Sequence, residues 1–276
     1  MRNVDAKTVA GFSFEWTKFD QSNVSDVELR TIFDLYFAIF PWSALPENAI
    51  GFDLGCGSGR WARFVAPRVG KLHCIDASKD AIVVASRNLH ELNNCEFHVA
   101  SVDEIPLQDG TMDFGYSLGV LHHVPNTLDG IRSCVAKLKP GAPLLLYLYY
   151  AFDNRPSWFY LLWRLSDVAR RVISQLPHTV RHFISFGIAI LVYLPLARVA
   201  YLLEKLGSRV EWIPLAAYRH YSFYTIRTDA LDRFGTNLEK RFTAQEIREM
   251  MEKAGLERIE FSESVPYWCV LGYKKS

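Results

Sequence analysis

One stretch, Asp53-Leu-Gly-Cys-Gly-Ser-Gly59, constrains this chain more than any other. It follows a short apolar run, Ala49-Ile50-Gly51-Phe52. It precedes Arg60-Trp61-Ala62-Arg63-Phe64-Val65-Ala66, which reads as the first turns of a helix. A strand, a tight glycine turn and a helix make a nucleotide-binding corner. Glycine takes positive φ at no steric cost and lets the backbone come close to a ligand. A helix start behind the turn favours negative charge.

Two ligand classes compete for such a corner. Gly57-Ser-Gly59-Arg-Trp-Ala62 fits G-x-G-x-x-G/A, the dinucleotide fingerprint, which is weak evidence alone. Asp76 ends the next apolar run, Lys71-Leu-His-Cys-Ile-Asp76, where a dinucleotide and S-adenosylmethionine alike need a carboxylate for the ribose hydroxyls. Three features favour S-adenosylmethionine. Asp53 precedes the glycines. A later apolar run reads Met112-Asp-Phe-Gly-Tyr-Ser-Leu-Gly-Val-Leu-His-His-Val-Pro125. The chain ends in a strand-like pair instead of a further crossover helix.

These residues resemble the class I S-adenosylmethionine-dependent methyltransferases, above all the ubiquinone-type and small-molecule branch. Phe52–Gly59 is similar to the family's first motif, and Ile75-Asp76-Ala-Ser to its second. Ile105–Asp113 is similar to the loop into strand four, Gly119–Pro125 to that strand's signature, and Leu138-Lys-Pro-Gly141 to the approach to strand five. The resemblance covers roughly residues 48–150 and 240–276. It implies an α/β fold, a doubly wound, mostly parallel seven-stranded sheet, to which this chain adds an N-terminal helical cap and a largely helical insertion after strand five. It also implies cofactor contacts at Asp53, Gly55, Gly57, Gly59, Asp76, Ala77 and Leu118. Many members carry an acidic residue after strand three for the adenine amino group, and here that position is Ser101. Ser101, the Val102 backbone N–H and Asp103 are alternative adenine partners.

At 276 residues the chain holds one large α/β domain, or one with an insertion. A net charge of +1 argues against general nucleic-acid binding. The five cysteines are scattered without a C-x-x-C pair, which points to reduced thiols in a cytoplasmic protein and to no metal site. Cys56 reads as a space-filler. Residues 1–30 lack the apolar core of a signal peptide.

Residues 1–47 read as a helical cap, with apolar residues at helical spacing between Val24 and Phe40. The aromatic segment Gly11–Phe19 either closes over the cofactor, through Phe12 and Trp16, or packs on the core. Strand and helix then alternate: strands at 49–53, 71–76, 95–100, 112–118 and 142–150, and helices at 60–66, 78–92 and 127–138. Residues 241–255 form a helix with Thr243 as N-cap, Glu246 completing a capping box and Gly255 as the stop. Strands 256–261 and 267–273 finish the sheet at 48–150 and 241–276 as an antiparallel edge.

Residues 151–240 are additional to a plain core. Over 151–228 ten Lys/Arg face four Asp/Glu, so this stretch is +6 and the remainder −5. Basic and aromatic together, it reads as a lid for an anionic or ring-bearing small molecule, as a dimer contact, or as a surface resting on phospholipid. The uncharged run 183–197 is short of the roughly twenty residues a membrane span needs, and Pro195 interrupts it, which excludes a transmembrane helix. The segment 156–176 is amphipathic, and the default for such a face is packing against protein.

Methyl transfer from S-adenosylmethionine needs an acceptor aligned with the methyl–sulfur bond and, for many acceptors, a base. His123 is the candidate base, and Tyr149, at the end of strand five, is a second catalytic candidate. His122 reads as structural, because neighbours on a strand face opposite ways. Asp153, Arg155, Tyr221, Tyr224 and Arg227 are candidate substrate contacts. The reading is a cytoplasmic methyltransferase of a small biosynthetic molecule. The rivals are a membrane-surface methyltransferase of a lipid or quinone precursor, a non-catalytic cofactor-binding protein and, more distantly, a dinucleotide oxidoreductase.

Overall fold

The computed structural model describes residues 3–21 and 24–276. Seven strands form one sheet in the order β3-β2-β1-β4-β5-β7-β6. They are β1 (Ile50–Leu54), β2 (Lys71–Asp76), β3 (Cys95–Val99), β4 (Phe114–Leu118), β5 (Pro143–Tyr147), β6 (Leu256–Phe261) and β7 (Cys269–Lys274). Strands β1 to β5 pair in parallel, and β7 inserts antiparallel between β5 and β6. Leu144, Leu145 and Leu146 are all fully buried, as expected where helices cover both faces of a parallel sheet. At the sheet centre, Gly51 pairs with Phe114 and Phe52 with Gly115. A Cβ on either glycine would stand 2.3 Å from the opposite ring. Each glycine therefore leaves the space its cross-strand phenylalanine fills.

The helices of this part are α1 (Ala6–Lys18), α2 (Asp26–Tyr36), α3 (Ala62–Val65), α4 (Lys79–Asn88), α5 (Thr127–Lys137) and, before β6, α10 (Ala244–Lys253). Asp5, Ser78 and Asn126 N-cap α1, α4 and α5 with side-chain oxygens. Thr243 and Glu246 form the expected capping box. Helix α2 buries Leu29, Ile32 and Phe33, whereas Val27, counted in the apolar stripe, is exposed. Helix α3 has only four residues.

The chain divides into two compact units, residues 1–20, 29–153 and 238–276 in one and residues 21–28 and 154–237 in the other. The boundary thus cuts through the expected 1–47 cap. Helix α1 belongs with the sheet, and residues 21–28 belong with the insertion.

The second unit contains α6 (Ser157–Ile173), α7 (His178–Ile188), α8 (Leu194–Lys205) and α9 (Phe223–Gly235). Its core joins Ile173, Ala189, Tyr193, Ala197, Ile226 and Phe234. Two expectations fail here. Pro195 does not end the apolar helix: a π turn, Ala189–Tyr193, joins α7 and α8 into one helix, His178–Lys205, of 28 residues. The π turn restarts the hydrogen-bond ladder, so Pro195 falls in the first turn of α8, where its missing N–H is harmless. By length and composition this helix could cross a membrane. The apolar face of α6 does not pack against protein either: Leu161, Leu165, Val168 and Val172 are exposed, while Asp167 and Arg170 are buried.

Candidate functional site

The glycine turn is tied to β2. Gly55 and Cys56 donate their amides to the Ile75 carbonyl at 2.7 and 3.1 Å. Gly57 donates to Asp76 Oδ2 at 3.0 Å, and Asp76 Oδ1 accepts from Ser78 N at 2.8 Å. Gly59 donates to the Cys56 carbonyl. A pyrophosphate cradle needs such amides aimed at the ligand. Here they are used to shape the turn, and the four-residue α3 behind it carries little dipole. The anion-holding role expected of this corner is thus weakened, and with it the dinucleotide reading.

Gly55, Gly57 and Gly59 have φ of +82°, +54° and +78°. A Cβ on Gly57 would lie 2.8 Å from Trp16 Cε2, so the indole rests on the turn. Helix α1 is held there by Ser13 Oγ donating to Asp80 and by the Arg87–Asp20 ion pair at 2.7 Å. One helical turn before Trp16, Phe12 meets the His123 ring at 5.2 Å. The aromatic face of α1 therefore runs from the glycine turn to the end of β4.

Asp53 is 1% exposed and accepts a hydrogen bond from the Tyr116 hydroxyl at 3.0 Å. Burial pushes its carboxyl up to about 8, against the Tyr116 bond, which favours the anion. Burial likewise raises Asp76, and its bonds from Ser78 and Gly57 oppose the rise.

After β4 the chain turns through a 3₁₀ segment, Leu121–His123. The alternation argument for His122 and His123 therefore does not apply: they are not on a strand, and their rings lie 4.0 Å apart. Tyr149 stacks on His122 at 3.8 Å and stands edge-on to His123 at 5.6 Å. His122 is fully buried, and desolvation, helped by His123 and Arg241, holds its imidazole well below the usual histidine range. His123 Nδ1 is 2.6 Å from the Leu238 carbonyl. That bond places the proton on Nδ1 and the lone pair on Nε2.

An antiparallel β7 between β5 and β6 replaces a further parallel crossover. The fold is that of the class I methyltransferases. Residues 52–141 match the family model of the methyltransferase domain. The ubiquinone biosynthesis O-methyltransferase of Xanthomonas campestris pv. campestris is 30% identical over 145 residues, 51% of this chain and 58% of the relative. The chain thus spans less than two thirds of the curated relatives it matches. Phosphoethanolamine N-methyltransferase 2 of Caenorhabditis elegans is 31% identical over 100 residues, 35% of this chain and 23% of that protein. Among solved structures, a SAM-dependent methyltransferase from Aquifex aeolicus aligns over 95% of this chain and 96% of its own, with a TM-score of 0.52 and 16% identity. That likeness is one of fold.

Within this methyltransferase core the three adenine alternatives separate. Ser101 Oγ donates to Asp103 Oδ1 at 2.7 Å, and Asp103 Oδ2 accepts from Asn3 N at 3.0 Å. The Val102 side chain is buried in the core, leaving only its backbone to meet a ligand. Leu118 closes the end of β4, nearly buried, and Ala77 is half-buried beside Asp76.

The expected substrate residues are divided between the two units, Asp153 in the first and the others in the second. Asp153 is occupied at the start of α10, accepting from Ala244 N at 2.8 Å and Trp268 Nε1 at 3.1 Å. Arg155, in the helical unit, donates to the Glu211 carbonyl and lies over Phe159. Tyr224 and Arg227 do meet, with the guanidinium 4.9 Å from the ring centroid, at the start of α9. Tyr221 is half-buried nearby, its hydroxyl pushed up to about 12 by burial.

Sequence reasoning missed Arg241 and Glu239. Arg241 lies 5.0 Å over the Tyr149 ring, donates to Glu239 Oε1 at 2.9 Å and reaches the Tyr150 carbonyl. Burial opposes its charge, and Glu239 with Tyr149 and Tyr147 more than offsets this. No local signal marks this pair, because 239–242 reads as the approach to a helix. One donor cluster was also missed: His73, Glu96 and His98 share one sheet face at the β3 edge. Lys71 Nζ, 2.5 Å from Glu96, already neutralises that carboxylate, and the cluster plays no part in the corner described.

Proposed function

We propose that this chain transfers a methyl group from S-adenosylmethionine to a small biosynthetic molecule. One observation carries the reading: a positive-φ glycine turn, latched to Asp76 and covered by Trp16, sits on the same helix face as Phe12 and His123. The glycines leave a cradle a Cβ would fill, and Asp76 lies where ribose hydroxyls need an acceptor. When bound, the cofactor supplies a methyl already activated on a sulfonium.

The chain's own residues then have distinct tasks. Asp53 ties β1 to β4 through Tyr116, and Asp76 ties the end of β2 to the turn. Trp16 and Phe12 shield the corner from water. His123, with Nδ1 fixed on the Leu238 carbonyl, presents Nε2 as a base, which suits an acceptor hydroxyl or amine that must lose a proton. Tyr149 orients both imidazoles, and the Arg241–Glu239 pair fixes the Tyr149 ring from its other side.

The test is a calorimetric titration with S-adenosylmethionine and S-adenosylhomocysteine beside Asp76→Ala. Methyl transfer to a panel of catechols, quinone precursors and phosphoethanolamine follows. Cofactor binding abolished in the variant, together with turnover of one acceptor, supports the proposal. Tight binding without turnover of any acceptor supports a non-catalytic binding protein instead.

A further inference from the structure

The helical unit buries three charged side chains beside its apolar core and leaves two apolar helix faces outside. Asp167 and Arg170 are buried and bonded at 2.7 Å, Arg170 donates to the Thr236 carbonyl, and buried Arg181 donates to the Gly235 carbonyl at 2.6 Å. The other face of α6 runs Trp158, Leu161, Leu165, Val168 and Val172, at helical spacing, with Leu165 64% exposed. The long helix repeats this with Phe183, Leu191, Val199 and Leu202, and Leu206, 80% exposed, directly follows its end. Both helices pack on α9 with their opposite sides. Apolar faces of this extent mark an interaction surface.

The charge around them selects the partner. Arg164 and Arg171 flank the stripe of α6, and Arg198 and Lys205 each stand one position before Val199 and Leu206, roughly 100° around the helix. All four are exposed. The two acids of these helices are engaged, buried Asp167 with Arg170 and Arg171 at 2.7 and 2.9 Å and Glu204 with Arg219 and His220 at 2.8 and 2.7 Å.

We propose that this unit docks on an anionic phospholipid bilayer, with the two apolar stripes at the acyl boundary and the four basic side chains among the headgroup phosphates. A second copy of the chain is a poorer fit, because like charges would face each other across the contact. The long helix does not span. Its inner side is packed on α9, so crossing would draw Arg227, Asp232 and Arg233 into hydrocarbon. The docking does not depend on methyl transfer.

The experiment is co-sedimentation of the full chain with phosphatidylcholine vesicles, with and without about one-third phosphatidylglycerol. Expected is binding to the anionic vesicles at least roughly tenfold stronger than to neutral ones, weakening with salt. A Leu165→Glu/Leu202→Glu variant, altered only at exposed positions, keeps its helical circular dichroism and loses vesicle binding. Arg164→Glu and Lys205→Glu each lower binding about fivefold. No binding by the folded wild type, equal binding to both vesicles, or a dimer that Leu165→Glu dissociates would overturn the proposal. Vesicle docking by a protein that binds no S-adenosylmethionine would leave this inference standing and sink the proposed function.

Discussion

Asp76 Oδ2 accepts the Gly57 amide at 3.0 Å, joining the end of β2 to the glycine turn through a single carboxylate. The same carboxylate caps its own turn through Ser78 N. Asp76→Ala removes both bonds and a ribose acceptor. Expected are a loss of about 1–3 kcal/mol in stability and at least tenfold in cofactor affinity. Asp76→Asn keeps an acceptor, so it recovers most of the stability but not the affinity. Thermal unfolding and calorimetry on both variants check this.

Gly57 combines φ of +54° with an indole 2.8 Å from its missing Cβ. Gly57→Ala therefore strains the backbone and displaces Trp16, with an expected cost of about 1–3 kcal/mol. Trp16→Leu relieves the clash but not the φ. The double variant should be less destabilised than the sum of the singles, by at least about 0.5 kcal/mol in a double-mutant cycle.

Asp53 binds its proton more tightly folded than unfolded, with its carboxyl raised from 3.8 to about 8. Its contribution is therefore complete below the unfolded value and is lost as pH rises toward about 8. Asp53→Asn cannot lose a proton. Relative to the wild type, it should gain at least about 1.4 kcal/mol between pH 4 and 8, the worth of one pKa unit. Denaturant unfolding across that range reads the difference.

His123 is the proposed base. His123→Ala should lower kcat about a hundredfold or more for an acceptor that must lose a proton, with cofactor affinity unchanged. A variant retaining full kcat assigns His123 to packing alone.

Glu28 caps the start of α9, accepting from Ser222 N at 3.0 Å and from Thr225 Oγ1 at 2.6 Å. Glu28→Ala leaves the Ser222 amide and the Thr225 hydroxyl without this acceptor and should destabilise the helical unit by about 1–3 kcal/mol. Hydrogen exchange in α9, faster than in β4 and β5, locates the loss.

The motifs from Asp53 to Gly59, Asp76 and the capping box at Thr243 were legible because each is a local solution: a positive-φ turn, a strand-end carboxylate and a helix start lie within a few residues of chain. The alternating pattern that implied the doubly wound sheet is local in the same sense. Trp16 over Gly57, Phe12 against His123 and Arg241 over Tyr149 were beyond that reach in their detail, since each joins residues far apart in sequence. The alternation argument for His122 and His123 failed because a strand was assumed to continue where the chain turns.

The sequence by itself determined the core, because hydrophobic periodicity and glycine conformation are properties of short segments. Only the tertiary structure decided which face of α6 meets solvent. Periodicity shows that a helix has an apolar side, but the buried Asp167–Arg170–Arg181 interior, whose bonds to the Thr236 and Gly235 carbonyls come from distant chain, turned that side outward. Pro195 was settled in the same way: a π turn placed it where a helix tolerates the missing amide.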